Sequence, residues 1–223
     1  MNSIESNRAF KTYMESPNER RLMRRKDGLK GKYGLAKAVR VATTAPVMAA
    51  ALVALLYFLR PGSFLNAAHA WLSVTFLSIL PVLAYPVSYL VPALRKKGRD
   101  GQRSLAIVFS VIGYILGCAL CFVFGGAQIE KLIFLTYTFS GALIALCSGA
   151  FHFKASGHAC GVAGPIAALV CCLGPVWLLC GLLLAAVYWS SLKLRRHTLP
   201  QLLGGTVIPV ASMVVSALIL GII

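Results

Sequence analysis

Two histidines 39 residues apart, His158 and His197, stand where long apolar runs begin and end. The first closes the stretch Lys154-Ala155-Ser156-Gly157-His158. The second lies in Ser190-Ser191-Leu192-Lys193-Leu194-Arg195-Arg196-His197-Thr198-Leu199-Pro200-Gln201. Imidazole is both a nucleophile and a proton carrier near neutral pH. Around the two histidines the chain supplies cations: Lys154, Arg195 and Arg196 nearby, and Lys97, Arg99 and Arg103 in an earlier basic run. Ionisable groups beside membrane spans are costly to keep, so they are functional candidates. The set suits a site that grips an anion and attacks it. For a phosphate monoester, Lys97, Arg99, Arg103, Lys154 and the arginines near 195, Arg196 among them, supply charge to the non-bridging oxygens. The Ser156 hydroxyl and the N–H groups at 156–158 supply neutral donors at the start of a predicted helix, and Gly157 lets the backbone come close. Phosphoryl transfer then needs a nucleophile in line and an acid for the leaving oxygen. Asp100 is the lone carboxylate in the three basic segments, so no magnesium cluster is expected and the chemistry should need no metal or other cofactor.

The elements that must position these residues are membrane helices. Of 223 residues, 58% are hydrophobic and only 6 are acidic, and the mean hydropathy is +0.78. A soluble domain could not bury that much apolar surface, whereas a polytopic membrane protein needs it. The net charge of +16 would suggest nucleic acid in a soluble chain. Here the cations cluster at the ends of apolar runs, which favours anionic lipid and excludes nucleic acid as the expected partner. The seven cysteines lie in or beside predicted spans without a zinc pattern and read as small packing residues. The expected fold is therefore an all-α, polytopic bundle of about six to seven transmembrane helices.

Residues 1–43 are polar and basic, and the positive-inside rule puts them in the cytoplasm as a flexible tail or a surface helix. The transmembrane domain is expected over 44–223. Predicted spans run over about 44–59, 71–94, 104–124 and 131–150. The apolar stretch 159–190 is too long for one straight crossing and breaks at Gly174-Pro175 into two. A last span follows over about 202–223. Seven crossings bring three basic segments, 95–103, 152–158 and 193–201, to one face, where they can converge. Topogenic charge alone would also put Lys and Arg there; the histidines and the serine favour a site. His69 and His152 are expected as polar interface residues, and Glu130 and Lys131 as outer-loop charges.

At this point the residues resemble a known family. Lys-Ala-Ser-Gly-His is similar to the Pro-Ser-Gly-His motif of the type 2 phosphatidic acid phosphatase superfamily. The segment ending His197-Thr198-Leu199-Pro200-Gln201 resembles its third motif, Ser-Arg-x5-His-x3-Asp. The run ending at Arg103 looks like a degenerate first motif, Lys-x6-Arg-Pro. The resemblance covers about 95–205, and the chain looks closest to a divergent prokaryotic membrane branch with Lys-x-Ser-x-His and His-Thr-x-x-Gln forms. It implies a lipid phosphatase in the prokaryotic inner membrane. His197 would be the nucleophile that forms a phosphohistidine, and His158 the acid that protonates the leaving alkoxide. Ser156 and Gly157 would cradle phosphate, and Arg103 with Lys97 or Arg99 would be first-motif cations. The implied partners are a lipid phosphate substrate and membrane lipids.

Three departures bear on that reading. The motif arginine six residues before the nucleophile is Ser191, the motif aspartate is Gln201, and the motif proline is Ala155. Gln201 can orient an imidazole but brings no negative charge to imidazolium. Phosphatidate, phosphatidylglycerol phosphate and polyprenyl diphosphate all remain candidate substrates. The rival readings are a relative that binds anionic lipid without turnover, and a transporter or structural protein with a merely topogenic basic face.

Overall fold

The computed structural model describes residues 31, 33–90 and 98–222. These form eight helices and no strand. Helix α1 is Tyr33–Ala42 and α2 is Ala45–Leu59, meeting at a bend of 51°. The bend has a local cause. Thr44 is extended at φ −67°, ψ 146° and Pro46 follows in the first turn of α2, where its missing N–H cannot continue the α1 ladder. Helix α3, Ala67–Leu90, starts on an Asn66 cap. It widens into a π turn at Thr75–Ile79, just before Pro81, which accommodates the proline ring without breaking the span.

Helices α4 (Gly98–Val123) and α5 (Gln128–Gly149) form the expected hairpin. Helix α6 is Gly157–Leu173. Gly174, at φ 101°, and Pro175 then turn the chain into a short 3-10 stretch, Pro175–Cys180, that leads to α7, Gly181–Lys193. Helix α8, Leu199–Ile219, closes the chain. Five helices are long and apolar enough to cross a membrane (α3, α4 from Ser104, α5, Pro175–Lys193 and α8), and the bent α1–α2 pair would make a sixth. Helix α6, with 17 residues, is shorter. The protein is an all-α integral membrane bundle.

Helix α6 lies at its centre, against α2, α5, α7 and α8. Its sequence, GHACGVAGPIAALVCCL, explains why: residues 159–166 are mostly small, and all of them are buried. Lipid tails give apolar helices no reason to associate, so close backbone approach through small residues supplies the packing. A Cβ at Gly161 would meet Ala45 of α2, and one at Gly205 of α8 would fall on the Ser156 carbonyl oxygen. The head of α6 is therefore clamped from both sides.

At the opposite end the fold corrects two expectations. Glu130 is not an outer-loop charge. It is fully buried, with Oε2 3.0 Å from His69 Nδ1, while Ser73 Oγ donates to Oε1 at 3.3 Å. His69 is buried with it. The Ala127 N–H also donates to Oε2, at 3.3 Å. The short turn after α4 leaves Glu130 in the first turn of α5, facing α3, so its charge must find partners inside. Lys131 lies over the Phe122 ring, 5.4 Å from its centroid.

The Gly205 contact is testable. Gly205→Ala should lower the thermal stability of the detergent-purified protein by about 1–3 kcal/mol, since neither backbone can give way. Gly181→Ala, where nothing lies near the added carbon, should leave the melting temperature unchanged. Equal melting temperatures for both variants would contradict the clamp.

Candidate active site

Two of the three basic segments, 152–158 and 193–201, meet one unexpected helix, α1, at the head of α6. The loop after α5 turns through His152, at φ 52°, and carries Lys154 inward. Ser156 then caps α6, its Oγ accepting from the Ala159 N–H at 3.3 Å. This cap fixes the direction in which His158, two residues on, leaves the helix. Helix α7 ends with Arg195 in the left-handed region, at φ 49°. The Arg196 N–H returns to the Ser191 carbonyl at 2.9 Å and the Arg195 N–H to Leu192 at 3.0 Å, which is a Schellman closure. It aims Arg196 and His197 back over the head of α6.

The two histidine segments are tied by one backbone bond, from the Ser156 N–H to the Gln201 carbonyl at 2.9 Å. The Gln201 side chain works on the other segment. Its Oε1 accepts from the Thr198 N–H at 3.3 Å and lies 3.1 Å from His197 Nδ1. A backbone N–H can bond only the amide oxygen, so Oε1 is an acceptor and His197 Nδ1 carries the proton. Nε2 is then the ring's lone-pair nitrogen, as a nucleophile requires.

His158 is held in the other tautomer by a residue that sequence reasoning missed. Arg40 of α1 donates from Nη2 to His158 Nδ1 at 3.3 Å. The His158 Nε2–H donates to the Arg40 carbonyl at 3.2 Å. Arg40 Nη1 also donates to Ser191 Oγ at 2.8 Å. His158 is the second residue of α6, ahead of its apolar run. Burial there, and then the Arg40 guanidinium, push its pKa down from 6.5 to about 4, with His197 adding to the same effect.

Together these groups line one end of a cavity of about 940 Å³. Lys37 and Arg40 come from α1, Lys154, Gly157 and His158 from the loop and α6, and Arg196 and His197 from the α7–α8 turn. Gln102, beside Arg103 in the basic run, lines it too. Among the described residues no carboxylate does so. Nor, among them, does any group of three or more His, Cys, Asp or Glu side chains come together as a metal site. An anion is the ligand this end can stabilise.

Of the residues singled out from sequence, Lys154, Gly157, His158, Arg196 and His197 meet in this cavity, with Gln201 behind His197. Lys97 lies outside the described residues, as do the side chains of Arg99 and Arg103. Ser156 is fully buried and does not line the cavity; its oxygen serves the helix cap instead of cradling an anion. Arg40 and Lys37 were hidden in the basic N-terminal run. Their signal is a three-residue spacing, which puts both on one helical face, immediately before the first apolar segment. No family model, curated protein or solved structure matches the chain.

The buried neutral His158 has a consequence for stability. The unfolded chain takes up a proton near 6.5 and the folded one only near 4. Stability should therefore be complete above the ordinary histidine range and fall as pH drops through that window, by about 3 kcal/mol in full. Melting temperature against pH should decline between 7 and 4.5 (roughly the span of that window) less steeply in His158→Gln than in the parent. Parallel slopes would contradict the assignment.

Proposed function

We propose that the chain is a membrane phosphatase that hydrolyses a lipid phosphate or diphosphate through a phosphohistidine on His197, without a metal. The observation that carries this reading is the pair of opposite imidazole tautomers at the cationic end of one cavity. Gln201 orients His197 through Nδ1, Arg40 orients His158, and both imidazoles line the same cavity. Lys37, Arg40, Lys154 and Arg196 neutralise the phosphoryl oxygens, the main requirement of phosphoryl transfer. His197 Nε2 forms a bond to phosphorus as the bond to the lipid oxygen breaks. That oxygen takes a proton from His158, and the leaving group departs: the lipid alcohol from a monophosphate, the lipid monophosphate from a diphosphate. Water then attacks phosphorus, gives its proton to His158 and releases inorganic phosphate from Nε2.

His158 is neutral, with its one proton on Nε2, when the Arg40 guanidinium faces it alone. An incoming dianion opposes that field and raises the proton affinity of the imidazole, so substrate itself arms the acid. The resemblance to the type 2 phosphatidic acid phosphatases supports the same roles, and Arg40 bears on its largest departure. Ser191 occupies the place of the motif arginine, and the Arg40 guanidinium is hydrogen-bonded to Ser191. Arg40 supplies from α1 the charge that the motif carries on α7. In this reading the N-terminus and the site face the cytoplasm and the protein resides in a prokaryotic inner membrane. The concentration of Lys and Arg at that end of the bundle supports the orientation.

A second reading, an anionic-lipid binder without turnover, is favoured by one observation: both His158 ring nitrogens are engaged by Arg40. Phosphate release by purified protein, in EDTA, from phosphatidate, phosphatidylglycerol phosphate and a polyprenyl diphosphate separates the two. Release that disappears in His197→Ala supports the phosphatase; no release from folded protein that still binds lipid supports the binder. Arg40→Ala should cost about a hundredfold in kcat/KM, and Arg40→Lys should recover only part of it, because a point charge cannot span Ser191 and phosphate together. Adding Ser191→Arg to Arg40→Ala should restore activity. If Arg40→Ala turns over substrate normally, Arg40 has no such role.

A further inference from the structure

The cavity does not end at its cations. It continues into the bundle between α4, α5 and α6, where Ser110, Tyr114, Tyr137, Ser140 and Cys160 line it. Two of these are more than nine-tenths buried, and neither Tyr137 Oη nor Ser140 Oγ meets a nitrogen or oxygen partner among the described residues; beside Ser140 Oγ stands only the Cys160 thiol, a weak partner. They are three residues apart on α5, so they share one helical face, and Gly141 and Ile144 continue that face along the cavity. The Tyr137 ring is held edge-on by Tyr114, with centroids 5.3 Å apart. Gly141 leaves the Tyr114 ring its space. The phenol is thus fixed in position while its oxygen is unmatched.

Depth follows from the helices. Cys160 adjoins Ser140 and lies two residues beyond His158, a rise of about 3 Å. Helix α5 arrives at the histidine end from the far side of the bundle, so Tyr137 lies about 4.5 Å deeper than Ser140. Two donors therefore stand below the phosphate position at successive depths, inside a membrane that offers water poorly. A prenyl chain has no acceptor to give them. A diacylglycerol phosphate has two ester carbonyls, a few bonds from phosphorus and at unequal depths.

We propose that Tyr137 and Ser140 are specificity-determining residues that bind the ester carbonyls of a diacylglycerol-type lipid phosphate, so that the site selects glycerolipids over polyprenyl diphosphates. This rests on the lipid phosphatase reading and narrows its substrate class. The probes are a diacyl phosphatidate, its dialkyl ether analogue, which keeps the chains and phosphate but lacks both carbonyls, and a polyprenyl diphosphate. The full chain in detergent micelles should release phosphate from the ester lipid about tenfold more efficiently than from the ether lipid. In Tyr137→Phe/Ser140→Ala the difference should shrink to about twofold, mainly through KM for the ester lipid. Equal efficiency on ester and ether lipids by the parent protein, or a uniform loss across all three probes in the double variant, would overturn the proposal.

If no probe yields phosphate, the hydrolase reading fails separately, and lipid retention measured by native mass spectrometry decides the binding claim. Preferential retention of the ester lipid, lost in the double variant, supports it. Equal retention of ester and ether lipids overturns it.

Discussion

The hydrogen bond from the Ser156 N–H to the Gln201 carbonyl, 2.9 Å long, is the constraint on which the site depends. One partner starts the helix that carries His158; the other belongs to the residue whose side chain orients His197. Neither histidine segment could hold its geometry alone, because each follows an irregular turn. The bond requires α8 to approach the backbone of α6 at van der Waals distance, which is why Gly205 and the small residues of α6 are where they are. Packing in the bundle and chemistry at its end are thus one arrangement, since the same close approach that replaces the hydrophobic effect in lipid also brings the two imidazoles together.

Charge organises the rest. Cations crowded around two imidazoles repel one another, and the cost is visible in His158, held neutral beside Arg40. Under the proposed function such a site is preorganised for negative charge: what destabilises it empty would stabilise it with a dianion bound. The buried Glu130–His69–Ser73 cluster at the other end is self-contained. It satisfies a carboxylate inside the bundle and ties α3 to α5, and nothing in its geometry points to a ligand.

Much of this was legible in the sequence. Apolar runs and the Gly174-Pro175 break marked out the helices in order, and Gly157, His158 and His197, singled out by type and spacing, do line one cavity. What escaped has physical reasons. Arg40 sits in a basic run whose charges look alike, and only the fold of α1 back over α6 distinguishes it from its neighbours. Ser156 read as an anion ligand because its type suits that role equally well; its use as a helix cap depends on where α6 begins. Glu130 read as a loop charge because its partners lie 57 and 61 residues away on another helix, a separation no local pattern reports.

The most direct test of the central claim is to look for the intermediate itself. The protein would be mixed with phosphatidate carrying a labelled phosphate, quenched in alkali, digested and mapped by mass spectrometry. The account predicts an alkali-stable, acid-labile phosphate on the peptide that contains His197, absent from His197→Ala. Turnover with no phosphorylated histidine at any quench time, or label on a different residue, would contradict it.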